Sequence, residues 1–192
     1  ITGFIRPHLS FFIKCLKLGG VTKFDVVYAE PQWYKNREFT AFSNKVLDVR
    51  LVHGYEGIQN FNNKNDLLII GSGYDDQLIT AVANNKSSVR NKIQIFGLPA
   101  LSPVMYQENR LSAYRAEDVR ECEFYYAPAY DPFATASTIR EIVNKYTPTN
   151  LYLCPLATKA QTLGFILYYL LERENTATSI IHPFYESYST ET

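Results

Sequence analysis

Short apolar runs alternate along the chain with longer segments in which apolar residues recur every three or four positions. The short runs are rich in β-branched and aromatic residues, which favour strands, and the longer segments have the periodicity of amphipathic helices. Regular alternation of this kind is typical of βα units that feed a mostly parallel sheet. The sequence therefore predicts a single doubly wound, three-layer α/β domain over residues 1–192.

The individual elements follow from the same pattern and from the residues that begin and end each segment. Strands are predicted at 24–28, 46–52, 67–70, 93–96, 124–126, 151–154 and 179–181. Helices are predicted at 7–18, from about 75, at 106–116, at 132–145 and from 158. The run at 67–70 is continuously apolar, which indicates a strand buried on both faces at the centre of the sheet.

Length and charge exclude several classes of protein. The chain has 192 residues, 46% of them hydrophobic, with 19 Lys and Arg against 19 Asp and Glu. A chain of this length can bury a core without a disulfide or a metal, and its apolar content is too high for a disordered protein. Zero net charge argues against a generally basic nucleic-acid binder. Nucleic acid is therefore not an expected partner.

Cysteine use and the apolar runs bear on location. The three cysteines are widely spaced without a C-x-x-C pattern, which argues against a disulfide framework or a zinc site and favours a reducing compartment, the cytoplasm. The longest apolar run, at 162–171, has about half the length of a membrane span, so no membrane is expected. The opening Ile1-Thr2-Gly3-Phe4 resembles a strand cut from a longer chain, and we expect a fragment.

A glycine turn follows the central strand. Gly71-Ser72-Gly73, between a strand and a helix, allows backbone N–H groups to approach a phosphate closely. The third glycine of the dinucleotide fingerprint falls at Asp76, and acids at a helix start repel a pyrophosphate but cap the helix well. A standard NAD site is not expected. Two interpretations stay open: a tight capped turn, or a modified site where Asp75 or Asp76 accepts hydrogen bonds from ribose hydroxyls.

Thr158 and Lys159 offer the opposite charge after the strand at 151–154. A helix N-terminus with a hydroxyl and an ammonium, and with Gln161 just beyond, suits an anion. The chain contains no G-x-x-x-x-G-K-[ST] motif, so this is not a P-loop. An ordinary N-cap beside an exposed lysine explains the same residues. Even so, this strand end is our first candidate for an anion site.

The histidines are the candidates for general acid–base chemistry. No two histidines have metal-ligand spacing, so no metal is expected. No cofactor is expected either. His53 and His182 each follow a predicted strand, and Glu30 or Glu56 is a candidate partner in a general acid–base pair. Most histidines are instead structural or surface residues. The sequence leaves both interpretations open.

The chain holds 15 tyrosines, many for its length. Five of them fall at predicted strand ends, where they would line one cleft and stack on a base or another flat ligand. Tyrosines that cover the rim of a core, with their hydroxyls in water, are the ordinary alternative. The five are Tyr28, Tyr55, Tyr74, Tyr130 and Tyr185.

The segment Leu151–Gly164 contains the pattern P-L-x-T-K-x-Q, from Pro155 to Gln161. Together with Ile1–Phe4 and Tyr28–Pro31, it resembles a family of uncharacterised bacterial Rossmann-like domains. That resemblance implies the fold and adds weight to a site at Thr158 and Lys159, but it implies no reaction. In layout the domain is also similar to CARF-type domains, in which a Rossmann-like fold binds a signalling nucleotide at strand ends.

The function that the sequence favours is binding of a small anionic, nucleotide-like ligand at the carboxyl edge of the sheet. Thr158 and Lys159 would hold the anion, and Tyr130 would stack on a base. Two alternatives stay open. One is a hydrolase or transferase that uses the candidate acid–base residues on a nucleotide or phosphosugar, and the other is a protein-interaction module without a ligand. The sequence does not indicate an oligomeric state.

Overall fold

A computed structural model gives the fold and describes residues 3–29, 43–116, 119 and 122–188. The helices are α1 (Arg6–Leu18), α2 (Asp76–Asn85), α3 (Pro103–Arg115), α4 (Pro132–Tyr146) and α5 (Lys159–Tyr168), which a π-helical turn at Tyr169–Arg173 extends. The strands are β1 (Ser43–Leu51), β2 (Leu67–Gly71), β3 (Asn91–Gly97), β4 (Glu123–Ala127), β5 (Leu151–Pro155) and β6 (Thr178–Tyr188). Within the described residues these strands form one sheet in the order β1-β6-β5-β2-β3-β4.

Helices cover both faces of this sheet. Side chains alternate along β2, so that Leu67 and Ile69 pack with α1, α4 and α5, whereas Leu68 and Ile70 pack with α2. All four side chains are fully buried, as expected for a central strand of a parallel sheet. The described strand pairs are parallel except for β1 with β6. The predicted three-layer α/β domain with a mostly parallel sheet is confirmed.

α1 and α5 lie side by side and run in the same direction. At their first turns, the Arg6 guanidinium donates from Nε and Nη2 to the carbonyl oxygen of Ala157, at 2.9 and 2.6 Å. At their far ends, Lys17 Nζ donates to the carbonyl oxygen of Leu170 at 2.9 Å. Because Ala157 follows β5, the N-termini of both helices lie at the edge where the parallel strands end. We call this edge the carboxyl edge and the opposite one the amino edge.

The contact between α4 and α5 is equally close. A β-carbon on Gly164 would lie 2.5 Å from the carbonyl oxygen of Pro132 and 2.6 Å from Cβ of Thr135. A glycine is therefore needed for the two helices to approach this closely. The same packing fixes the middle of α5 against the start of α4.

One predicted strand is wrong and another is longer than predicted. Residues 24–28 form no strand, and of their side chains only Val26 packs against the core. The sheet edge beside β6 is taken instead by β1, which pairs there antiparallel. That pairing also extends β6 to Tyr188. Pro183 is tolerated in β6 because β5 pairs only as far as Ile180, so this part of the strand has one neighbour.

Candidate functional site

The order of the strands reverses between β2 and β5. β3 and β4 follow β2 on one side, whereas β6 follows β5 on the other. In open α/β sheets, ligands bind outside the carboxyl ends of the strands at such a reversal. Two predicted motifs meet at this point, because the register pairs Gly71 with Pro155. The structure thus brings the glycine turn after β2 beside the loop that leads to Thr158.

The glycine turn is filled by the protein itself. A β-carbon on Gly73 would overlap the carbonyl oxygen of Leu156, and the Leu156 N–H donates to the Gly71 carbonyl at 2.9 Å. Ser72 is fully buried, and its hydroxyl donates to Oε1 of Gln94 at 2.6 Å. Gly71 to Gly73 therefore let two loops of the chain pack closely. The close approach that Gly73 allows is made by the backbone of Leu156.

The structure confirms the helix-cap interpretation for Asp75. This residue is the N-cap of α2, and its Oδ1 accepts a hydrogen bond from the Leu78 N–H at 3.3 Å. Asp76 is the first residue of the helix, where its negative charge favours the positive end of the helix dipole. Their role as acceptors for ligand hydroxyls stays a prediction.

Replacing Gly73 by alanine is expected to lower the free energy of unfolding by about 1–3 kcal/mol, because the new methyl group must displace backbone at Leu156. Urea denaturation of both proteins measures the difference. Gly3→Ala is the matched control, since a β-carbon on Gly3 meets nothing within 4 Å. Equal losses for the two variants would contradict the packing role of Gly73.

Thr158 is the N-cap of α5, as the sequence predicts. Its Oγ1 accepts a hydrogen bond from the Gln161 N–H at 3.1 Å and donates one to the carbonyl oxygen of Ala129. The hydroxyl therefore ties α5 to the loop after β4. An anion at this helix end would meet the backbone of the first turn, Lys159 and one further cation.

That further cation is Arg6, which no local pattern in the sequence indicates. Burial first, and then the positive charge of Arg6, lower the pKa of Lys159. Burial raises the pKa of the neighbouring Cys154 thiol, and the positive charge of Arg6 acts in the opposite direction. Local sequence marks Pro7 as a helix start, but it carries no signal that α1 docks beside α5. The arginine reaches the site only through tertiary packing.

His182 lies within β6 rather than after a strand, and that part of the prediction is wrong. It is only 3% exposed and lies two positions beyond Ile180, on the face of the sheet that α1 and α5 cover. Its Nδ1 has no hydrogen-bond partner. Burial, followed by the charge of Arg6, lowers the pKa of His182 to about 3. The imidazole is therefore neutral at pH 7.

His53 and Glu56 lie at the amino edge. β1 is antiparallel to β6, so the segment after it runs past the beginning of β6, where the Val52 N–H donates to the Ile180 carbonyl. His53 Nδ1 is 3.4 Å from Glu56 Oε1, and the histidine side chain is 87% exposed. Glu30 lies outside the described residues. His53 thus lies beside one of its candidate partners, Glu56, but away from His182, because an antiparallel strand ends at the other edge.

Three buried side-chain atoms in the described part of the chain lack a hydrogen-bond partner: Asn109 Oδ1, Gln161 Oε1 and His182 Nδ1. Gln161 lies on the first turn of α5, where its Nε2 donates to the Ala127 carbonyl at 3.2 Å. Asn109 lies one helical turn before Ser112, whose hydroxyl donates to the carbonyl oxygen of Tyr74 after β2. Unpartnered buried polar groups are rare in folded proteins. Of the three, Gln161 lies on the first turn of α5, which begins at the carboxyl edge.

The five tyrosines do not line one cleft. Tyr55 is fully buried near the amino edge and donates from its hydroxyl to the Ser10 carbonyl at 2.7 Å. Tyr185 packs against the cluster on the α2 face, and Tyr28 follows a segment that forms no strand. Tyr74 and Tyr130 do lie in loops at the carboxyl edge, and Tyr130 is 59% exposed. Only these two match the predicted placement.

The described residues contain no group of three or more His, Cys, Asp or Glu side chains able to hold a metal ion. Among the described helices, none has both the length and the apolarity that crossing a membrane requires. A scan against protein-family models and a search of curated proteins returned no match. The resemblance to uncharacterised bacterial Rossmann-like domains and the likeness to CARF-type domains stay predictions.

Proposed function

We propose that this domain binds a small anionic, nucleotide-like ligand at the carboxyl edge, at the N-terminus of α5. The observation that carries the proposal is the meeting of Arg6 and Lys159 at the N-terminus of α5. Two like charges disfavour each other, and the helix dipole adds further positive potential. Cations beside a helix N-terminus favour an anion at this point.

Other residues at the same edge have roles that suit such a ligand. Tyr130 is exposed on the loop after β4, where its ring can stack on a base. Gln161 Oε1 is an acceptor without a hydrogen-bond partner, and it suits a hydroxyl or amino group of a ligand. Because this side chain is buried, it must turn outward for a ligand to reach the oxygen. Asp75 and Asp76 are further acceptors beside the turn after β2. A nucleotide supplies the anion, the flat ring and the hydroxyls.

The test is a thermal-shift and calorimetric titration of the full chain with adenosine 5′-monophosphate, with ribose 5-phosphate and with uncharged adenosine. The phosphorylated compounds are expected to raise the melting temperature, and adenosine to have a much smaller effect. Lys159→Ala is expected to weaken their binding about tenfold, the usual value of a charge-assisted hydrogen bond.

Lys64→Ala is the matched control, because Lys64 is exposed in the loop before β2 at the amino edge. This variant removes the same charge from the opposite edge and is expected to bind like the unaltered chain. If neither phosphorylated compound shifts the melting temperature, or if Lys64→Ala weakens binding as much as Lys159→Ala does, the proposal is wrong.

A further inference from the structure

α1 has a second apolar side, which is exposed. One side of the helix, with Leu9 and Ile13, is buried in the core of the domain. The other side, which we call the outer face of α1, consists of exposed residues of the helix and of the two positions before it. A helix that is apolar on all sides is normally buried on all sides. The residues of the outer face are Phe4, Ile5, His8, Phe11, Phe12, Cys15 and Leu18.

The outer face has the spacing of residues that pair two helices. Its positions 4, 8, 11, 15 and 18 are four, three, four and three residues apart, which is the heptad spacing of the contact positions in paired helices. The ring of Phe4 packs on the ring of Phe12, with centroids 5.3 Å apart, so the segment before the helix belongs to the same face. This spacing suits a second helix that lies along α1.

The apolar area of the outer face matches one side of a protein interface. Its three phenylalanines, with Ile5 and Leu18, are between 36% and 75% exposed. An aromatic side chain has about 150–250 Å² of surface, so the exposed parts of these five side chains amount to about 450 Å². A standard interface buries about 800 Å² on each partner, of which about 60% is apolar. The outer face therefore supplies about the apolar area that one partner of a stable dimer needs.

Charge at this surface favours a second copy of the chain over a partner of opposite charge. The outer face contains no Lys, Arg, Asp or Glu. The lysines beside it, Lys14 and Lys17, both donate to the carboxylate of Glu174 in the same chain. A partner recognised by its charge gains little on such a face. A second copy presents the same uncharged surface, so the two meet without repulsion between like charges.

We infer that α1 is a dimerisation helix: the outer faces of two copies pack together about a two-fold axis, with their α1 helices antiparallel. In a two-fold contact the same surface serves on both partners. Antiparallel pairing places the positive end of each helix dipole beside the negative end of the other, whereas parallel pairing places like ends together. With the axis at position 13, His8 faces Leu18 of the second copy and Phe11 faces Cys15 of the second copy.

Sedimentation equilibrium of the full chain measures the dissociation constant of this dimer, and a reversible monomer–dimer equilibrium is expected. Phe11→Lys places a charge near the centre of the contact and is expected to raise the dissociation constant about tenfold or more. Phe11 is 48% exposed in the single chain, so the variant is expected to stay folded. Circular dichroism of the dilute protein checks its folding.

Leu111→Lys is the matched control. It also introduces a lysine at an exposed apolar position of a helix, since Leu111 is 55% exposed on α3. That helix contacts α2, on the opposite face of the sheet from α1. The control variant is expected to dimerise like the unaltered chain.

A charge exchange tests the antiparallel orientation. His8→Glu and Leu18→Lys are made separately and together. In an antiparallel dimer of the double variant, each introduced carboxylate faces an introduced ammonium of the other copy, whereas in a parallel dimer like charges face each other. The double variant is expected to dimerise about fivefold more tightly than Leu18→Lys alone, because two exposed ion pairs form.

The outcomes decide between a second copy and other occupants of the outer face. If the unaltered chain stays monomeric at every concentration, the inference is wrong and a different partner covers the face. If a dimer forms but Phe11→Lys weakens it no more than Leu111→Lys does, the contact lies elsewhere and the inference is again wrong. A double variant that dimerises more weakly than both single variants contradicts the antiparallel arrangement. None of these results depends on the proposed ligand.

Discussion

Replacing Phe165 by alanine is expected to lower the free energy of unfolding by about 3–5 kcal/mol. Phe165 is fully buried in the core between the sheet and α1, α4 and α5. Its ring lies against the backbone of Gly71, within 3.0 Å of the place where a β-carbon would stand. Truncation removes the ring's contacts and leaves a cavity below the carboxyl edge. Urea or guanidinium denaturation monitored by circular dichroism measures the loss.

Phe133→Ala is the control for this experiment. Phe133 is in the first turn of α4 and is 72% exposed, so its truncation is expected to change the stability by less than about 0.5 kcal/mol. The two variants share the same chemical change and differ in burial. A loss below about 1 kcal/mol for Phe165→Ala would contradict the packing of α5 against β2.

The second large effect is a loss of stability in acid that depends on His182. Its pKa is lowered from 6.5 to about 3 in the folded chain, chiefly by burial. Below pH 6.5 the unfolded chain takes up a proton there and the folded chain does not. The contribution of His182 to the free energy of unfolding is therefore fully present above pH 6.5. It is lost as the pH falls toward 3, by about 1.4 kcal/mol per pH unit.

Denaturation curves of the unaltered chain and of His182→Gln, recorded at intervals from pH 7 to pH 4, measure this effect. The variant is expected to lack most of the slope between pH 6 and pH 5, where carboxylates with ordinary or lowered pKa values hardly titrate. His53→Gln replaces an exposed histidine and is expected to keep the slope of the unaltered chain. Identical slopes for all three proteins would show that His182 is not the group responsible.

Most of the fold was predictable because its signals are local. The fully apolar run of β2, the Asp131 cap before Pro132 at α4 and the Thr158 cap of α5 each mark an element within a few residues. Glycine turns, caps and apolar periodicity act over one or two turns of chain. For that reason the sequence indicates most of the elements and the three-layer class correctly.

The parts that failed depend on pairing between distant segments. Residues 24–28 have the composition of a strand, yet the place beside β6 is taken by β1. The antiparallel direction of β1 moves His53 and Glu56 to the amino edge, and no local pattern indicates that direction. The Gly71 to Gly73 turn was predicted from spacing alone, and spacing does not show that residue 156 occupies the approach to Gly73.

The candidate site likewise has residues that local sequence indicates and residues that only tertiary packing brings there. Lys159 and Thr158 were found because both belong to one helix start. Arg6 and the burial of His182 were not found, because they depend on how α1 and β6 pack against α5 and β5. A lone arginine before a proline carries no sign of the carbonyl it will reach. Only the assembled sheet brings these charges to one edge.

The hydrogen bonds from Arg6 to Ala157 join groups 151 positions apart in the chain. This contact is strongly non-local, and it exists only where the first helix and the loop after β5 come together in the folded chain. The two cations therefore stand together only when α1 is docked beside α5. A chain in which α1 is not docked carries the same charges but does not bring them to one edge of the sheet.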